Sequence, residues 1–132
     1  MTTHRYKAAV IIPSRGGAEI LHYPLDALAE QTEKDFQVIV VLDGDIDNSE
    51  AVVDRYIAEG KLNLTKIVFE ENRGRVAALN AGHRAADADI LIRCDDDLQP
   101  APDYVANQIR LHRDYDGVIG TLKNVYPDTP YS

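Results

Sequence analysis

AAVIIPSRGGAEILHYPLDALAEQTEKDFQVIVVLD (8–43) holds two continuous apolar runs, AAVII (8–12) and FQVIVVL (36–42), on either side of an amphipathic stretch. Neither run alternates apolar with polar residues. A strand with one wet face alternates, so these runs predict strands covered on both faces, as in a parallel sheet with crossover helices. Between them Leu21, Leu25 and Leu28 recur at helical spacing over about 20–31. Pro24 lacks a backbone donor and is predicted to delay the start of that helix or to kink it.

The pattern continues outward. KIVF (66–69), DILIR (89–93) and GVIG (117–120) are further apolar runs. A second helix is predicted to begin with Asp47, Asn48 or Ser49 as cap and to stop at Gly60, with Val52, Val53, Tyr56 and Ile57 on one side. A third spans roughly 73–86 with Val76, Leu79 and Ala86 as core candidates, and a fourth follows Pro100 and Pro102. Four strand-then-helix units imply an α/β sandwich with right-handed crossovers, whose ligands gather beyond the carboxyl ends of the strands. The loops expected there are PSRGG (13–17), DGDIDNS (43–49), ENRGR (71–75) and DDDLQP (95–100), which carry nearly all the unusual polar residues.

The chain has 132 residues, 45% hydrophobic and 27% charged, as expected of one globular domain. No stretch approaches the roughly 20 apolar residues that cross a bilayer, and MTTHRYK (1–7) does not open a secretory signal, so the expected compartment is the cytoplasm. Cys94 is the single cysteine, which excludes an intrachain disulfide, and no Cys/His spacing suggests structural zinc. A net charge of -8 argues against nucleic acid as a partner. It also poses a problem, because Asp43, Asp45, Asp47, Asp95, Asp96 and Asp97 would repel a phosphate-bearing ligand unless a divalent cation lay among them.

In CDDDLQPAPDY (94–104) three carboxylates follow an apolar strand. In extended backbone Asp95 and Asp97 would project to one side and Asp96 to the other. Such hard oxygen donors suit Mg2+ or Mn2+, which use one or two carboxylates together with substrate phosphates. The bland reading is a solvated acidic turn, with Asp96 or Asp103 favouring the next helix dipole. DGDIDNSEAVVD (43–54) imitates the first three ligand positions of an EF-hand, but Asn48 and Asp54 stand where that loop needs Gly and Glu. Neither a GxxxxGK[ST] nor a GxGxxG loop is present. Cys94 reads as a packed strand residue, and His4, His22, His83 and His112 are scattered; His112, on the fourth helix, is within conceivable reach of a metal but reads better as an ordinary surface histidine.

Asp95-Asp96-Asp97 resembles the DxD motif of family 2 glycosyltransferases. VIIPSRGGAEIL with LDALAEQT, VIVVLDGDIDNS and ENRGRVAALNAG are similar, in order and spacing, to that family's opening strand, loop and helix, its second strand and acidic loop, and its third helix. The resemblance runs from about Ala8 to Tyr104. It implies a GT-A-type, Rossmann-like three-layer α/β sandwich with a mostly parallel central sheet, spanning 1–132 as a single nucleotide-sugar-binding domain that lacks the acceptor-binding half. It implies a metal-dependent, inverting glycosyltransferase with a nucleotide-sugar donor, UDP-sugar favoured, an unknown acceptor and Mn2+ or Mg2+ as cofactor. Pro13, Ser14 and Arg15 would line the nucleobase pocket, Asp43 would accept from a uracil-like ring edge, and Asp95 would approach the ribose. Asp97 would coordinate the metal, with Asp95 as a second ligand and Asp96 beside it, while Asn72 and Arg75 would face the diphosphate or base. Arg75 also has a rationale of its own, since a guanidinium binds a diphosphate bidentately, although pairing with a surface carboxylate is an equal alternative.

Leu42 and Gly16 depart from the family pattern, where an acidic residue and an Asn are common. Gly16 and Gly17 read as a turn requiring positive φ, and Gly74 and Gly82 read likewise. No motif supplies the acceptor-side base; Asp128 is the one carboxylate near the carboxyl terminus. Two other functions remain open: a non-catalytic nucleotide-sugar-binding module, and a nucleotidyltransferase, which PSRGG faintly suggests. A homo-oligomer or a further domain could complete the site.

Overall fold

Strand β1 (Tyr6–Ser14) sits inside a wholly parallel sheet of order β3-β2-β1-β4, between β2 (Phe36–Asp43) and β4 (Ala88–Arg93), with β3 (Leu64–Phe69) outside β2. These come from a computed structural model that describes residues 6–44 and 47–114. Ile11 is level with Ile39 on one side and Arg93 on the other. The helices are α1 (His22–Ala29), α2 (Ser49–Glu59), α3 (Arg75–Ala85) and α4 (Tyr104–Asp114). GVIG (117–120), Asp128, His4 and Asp45 lie outside the described residues.

Alternate residues of β1 face two separate apolar layers. Ala8, Val10 and Ile12 join Leu21 just before α1, Leu25 and Leu28 of α1, Val53 and Tyr56 of α2, and Val105 and Ile109 of α4. Ile11 joins Ile39, Val41, Phe69 and Ala78 of α3. β1 and β2 are thus covered on both faces, α3 alone among these helices standing on the second, whereas Leu91 of β4 is 40% exposed. Right-handed crossovers require this placement: α1 and α2 lead outward to β2 and β3, while α3 returns past β1 to β4.

Most predicted elements form where the sequence placed them. Pro24 is accommodated because α1 starts at His22, leaving the proline in the first turn, where a backbone donor has no intrahelical partner. Gly60 ends α2 in the left-handed conformation, φ 72°. Three details differ. Asn48 precedes α2 with φ 64° and makes no side-chain cap; Asp47 instead accepts the Ala18 N–H at 3.0 Å and the Ser49 hydroxyl. Ile57 is 38% exposed. Val76, a core candidate, is 72% exposed, because α3 meets the sheet through Ala78 and Gly82. Leu79 and Ala86 are partly buried beside them.

A buried polar anchor was not legible in the sequence. Gln31, 1% exposed, donates to the carbonyls of Ala27 (3.1 Å) and Ala101 (2.7 Å) and accepts the Val105 N–H (2.9 Å). It satisfies a donor in the first turn of α4 and ties that turn to the end of α1.

Close approach of α3 depends on Gly82, where a Cβ would lie 2.5 Å from Ile11 Cγ2. Ile is stiff at χ1 and cannot swing aside cheaply. Gly82→Ala is therefore expected to lower stability by about 1–3 kcal/mol, read as a reduced urea midpoint; an unchanged midpoint would show that α3 can lift from the sheet freely.

Candidate functional site at the carboxyl ends of the strands

All four strands point the same way, so the segments after them share one edge. At that edge a cleft of about 330 Å³ is lined by Pro13, Ser14 and Arg15 after β1, Asp43 at the end of β2, Asn72, Gly74, Arg75 and Ala78 around the start of α3, and Asp96 after β4. This is the position expected for ligands in an open parallel sheet, beside the strand where the winding reverses. A larger groove of about 610 Å³, lined by Asp26, Ala29, Glu30, Tyr56 and Lys61, is formed by helix flanks and does not gather strand-end loops.

The loop after β1 is fastened to the loop after β4. The Ser14 hydroxyl donates to Asp96 Oδ2 at 2.7 Å, and Ser14 is itself buried. Gly17 lies against this pair: a Cβ there would overlap Ser14 Oγ and stand 3.0 Å from Asp96 Oδ2. Gly16 does need its positive φ of 70°. Gly17 is required instead by close approach, a signal absent from local sequence.

Residues 95–98 form a turn, with the Leu98 N–H donating to the Asp95 carbonyl at 3.2 Å. Strand alternation therefore does not continue through the three aspartates, and extended-backbone spacing does not by itself place Asp95 relative to Asp97. Asp96 is half-buried and lines the cleft, and Asp97 is exposed. Asp95 stands beside the cleft, 3.2 Å from Arg93 Nε and 3.9 Å from Arg75 Nη1. Arg75 is well exposed, so the longer contact contributes little and leaves the guanidinium able to reorient.

Asp43 is buried, and its oxygens accept the N–H groups of Arg73 (2.6 Å) and Gly74 (2.9 Å). Asn72 Oδ1 also accepts the Gly74 N–H at 2.9 Å. The Arg73 guanidinium lies over the Phe69 ring, 4.8 Å from its centroid. Ala78 and Gly74, which sequence reasoning did not assign to the site, help line the cleft; Ala78 stands three residues after Arg75, on the same helix face, and helical spacing was the available signal.

Burial holds the Asp96 carboxyl above the usual aspartate range, the charges of Asp97 and Asp95 add to this, and the Ser14 hydroxyl opposes it. The Ser49 hydroxyl, by contrast, holds Asp47 below its ordinary value against the opposing effect of burial, and the Ala18 N–H adds to the lowering. Cys94, fully buried, has its thiol pushed up by burial and by the three neighbouring carboxylates, so it stays a packed thiol rather than a nucleophile.

A model of glycosyl transferase family 2 matches residues 9–131. The chain belongs to that family. The validoxylamine A glucosyltransferase of Streptomyces hygroscopicus subsp. jinggangensis (strain 5008) is 38% identical over 115 residues, 84% of this chain and 26% of that protein. The mannosyltransferase PcManGT from Pyrobaculum calidifontis, solved in complex with GDP-Man and Mn2+, matches with TM-score 0.77 and 32% identity over 86% of this chain and 34% of that one. S. aureus TarS 1-349, solved in complex with UDP, matches with TM-score 0.75 and 25% identity over 83% and 32%. The architecture of this family 2 chain is the GT-A fold, and it spans roughly a quarter to a third of the length of these relatives. No helix among the described residues is long and apolar enough to cross a membrane.

An acid whose folded-state pKa lies above its unfolded value binds more protons folded than unfolded between the two, so its contribution to stability falls as pH climbs through that window. For Asp96 the window opens at the ordinary 3.8 and extends upward. In chelator, Asp96→Asn, which keeps an oxygen for Ser14, is expected to gain stability relative to the unmutated chain as pH rises through that window, measured as urea midpoints across a pH series. A pH-independent difference would mean that Asp96 titrates as an ordinary aspartate.

Proposed function

We propose that this chain forms the donor-binding part of a glycosyltransferase, taking a UDP-sugar with Mn2+ or Mg2+ in the strand-end cleft for inverting transfer to an acceptor hydroxyl. The observation that carries this reading is the convergence of all four strand-end segments on one cleft, in a chain of family 2. The cleft brings an apolar wall, Pro13, together with the cations Arg15 and Arg75 and the carboxylates Asp43 and Asp96. A nucleotide presents the matching set of surfaces: a flat base, a ribose and two phosphates.

We assign Pro13, Ser14 and Arg15 to the base, Asp95 to the ribose, and Asn72 and Arg75 to the diphosphate. Arg75 offers paired N–H donors to phosphate oxygens, a charge-assisted geometry that lysine does not reproduce. Ser14, by donating to Asp96, keeps that carboxylate turned toward the cleft. The divalent ion fits the donor set. Asp95, Asp96 and Asp97 offer hard oxygens, and burial first, with the charges of Asp97 and Asp95 adding to it, raises the Asp96 carboxyl. Mg2+ or Mn2+ is held by one or two carboxylates and completed by phosphate and water. Asp97, exposed at the turn, and Asp95 would hold it, with Asp96 beside them. When bound, the ion supplies the Lewis acidity that stabilises a departing diphosphate. An acceptor hydroxyl in line and a base within hydrogen-bond reach complete the reaction, and this chain's share is the donor side.

Calorimetric titration with UDP, GDP and ADP, each with Mn2+ and with chelator, tests this reading. UDP is expected to bind best and only in Mn2+, and Asp97→Ala is expected to lose the metal-dependent affinity while its circular dichroism stays unchanged. A preference for GDP would reassign the base but keep the donor cleft; no binding of any of the three would overturn the reading.

A further inference from the structure

We propose that Arg93 is a positioning residue of the nucleotide site, whose guanidinium holds Asp95 in place when Arg75 turns from that carboxylate to the diphosphate. For its effect on ligands the inference rests on the donor-cleft reading, with Asp95 as the ribose contact; the hold itself can be tested without a nucleotide.

Arg93 is the last residue of β4, and the sheet fixes its backbone. It is level with Ile11 of β1, the Cys94 N–H donates to the Ile11 carbonyl at 2.9 Å, and the Tyr104 hydroxyl donates to the Arg93 carbonyl at 3.5 Å. Ile92 and Cys94 belong to the first apolar layer, so Arg93 between them points to the side of the sheet on which α3 stands. Asp95, by contrast, opens the turn of 95–98. The Arg93 Nε–H donates to Asp95 Oδ1 at 3.2 Å, and Arg75 approaches the same oxygen from the start of α3 only to 3.9 Å. Of the two arginines, Arg75 lines the cleft and Arg93 does not. Arg75 can therefore leave Asp95 for a diphosphate, while Arg93 continues to answer one of three adjacent negative charges whose repulsion would otherwise turn Asp95 outward. Both arginine contacts fall on Oδ1, so neither engages Oδ2, the oxygen available to a ribose hydroxyl. Arg93 and Asp95 are each 37% exposed, and an ion pair as wet as this adds little to stability. Its loss is expected to appear in ligand binding rather than in unfolding.

Calorimetric affinities for UDP and 2′,3′-dideoxy-UDP in Mn2+ separate this role from a merely structural one. The unmutated chain is expected to bind UDP about tenfold more tightly, equivalent to one hydrogen bond to a charged group. Arg93→Ala is expected to bring that ratio near one while the urea midpoint stays unchanged, and Arg93→Lys to restore part of it. Arg93→Gln carries the comparison if the alanine variant fails to fold. Arg75→Ala is expected to weaken both nucleotides alike and to keep the ratio. In an Asp95→Ala background, which has lost the ratio already, Arg93→Ala is expected to change nothing further. A ratio that survives Arg93→Ala would overturn the proposal, and a unmutated chain that binds both nucleotides equally would overturn the ribose contact of Asp95 and the proposal with it. The Arg93 Nε–H resonance reads the hold without ligand, in chelator. It is expected to exchange slowly with water in the unmutated chain and fast in Asp95→Ala. Fast exchange in both would overturn the proposal whatever the nucleotide result, whereas slow exchange in a chain that binds no UDP would keep the hold and overturn the donor reading instead.

Discussion

Everything in this fold follows from covering β1 on both faces. Ala8 to Ile12 are fully inaccessible to water, so their backbone groups must be satisfied sideways, by β2 on one flank and β4 on the other. Parallel neighbours cannot be joined by hairpins, and each connection must cross a face of the sheet. The outward crossings fill one face and the return through α3 fills the other. Winding reverses at β1, and the segments leaving the strands gather around Pro13 and Ser14.

Those segments are held together by carboxylates acting on their neighbours. Asp96 accepts from Ser14, Asp47 from the Ala18 amide, and Asp43 from the Arg73 and Gly74 amides. Each bond links segments far apart in sequence and none lies within the sheet ladder. The acidity of this edge, which looked hostile to a phosphate, is thereby divided. Asp43 and Asp47 are satisfied by backbone N–H donors, while the charge at 95–97 is only partly answered, by Arg93 and Arg75 at Asp95. The proposed cation belongs beside these carboxylates, where burial first, and then the charges of Asp97 and Asp95, hold the Asp96 carboxyl raised.

The layers and their order were legible because they depend on local pattern. The unbroken runs AAVII and FQVIVVL announced the two strands buried on both faces, while KIVF and DILIR formed the less buried β3 and β4, and leucine spacing announced α1. The position of Pro24 was compatible with a helix once its first turn was located. What local pattern could not supply was contact between distant segments. Val76 matched an apolar period, but the sheet selects Ala78 and Gly82, since only small side chains let α3 approach Ile11. Gln31 looked like an ordinary polar residue at the end of a helix, and only the arrival of α4 turns it into a buried anchor. Asp95 and Asp97 were placed by strand alternation, which stops where the Leu98 amide closes a turn. The resemblance to glycosyltransferases was legible in the order of the loops, and the family match agrees with it.

Paramagnetic broadening by Mn2+ most directly tests the central claim that one metal-bound nucleotide occupies the strand-end cleft. With UDP present, substoichiometric Mn2+ should broaden the backbone amides of 14–17, Arg75 and 95–98 first, and should leave the helix flanks around Asp26 and Glu30 sharp. Broadening centred on those flanks, or spread evenly over the acidic surface, would contradict a built site at the ends of the strands.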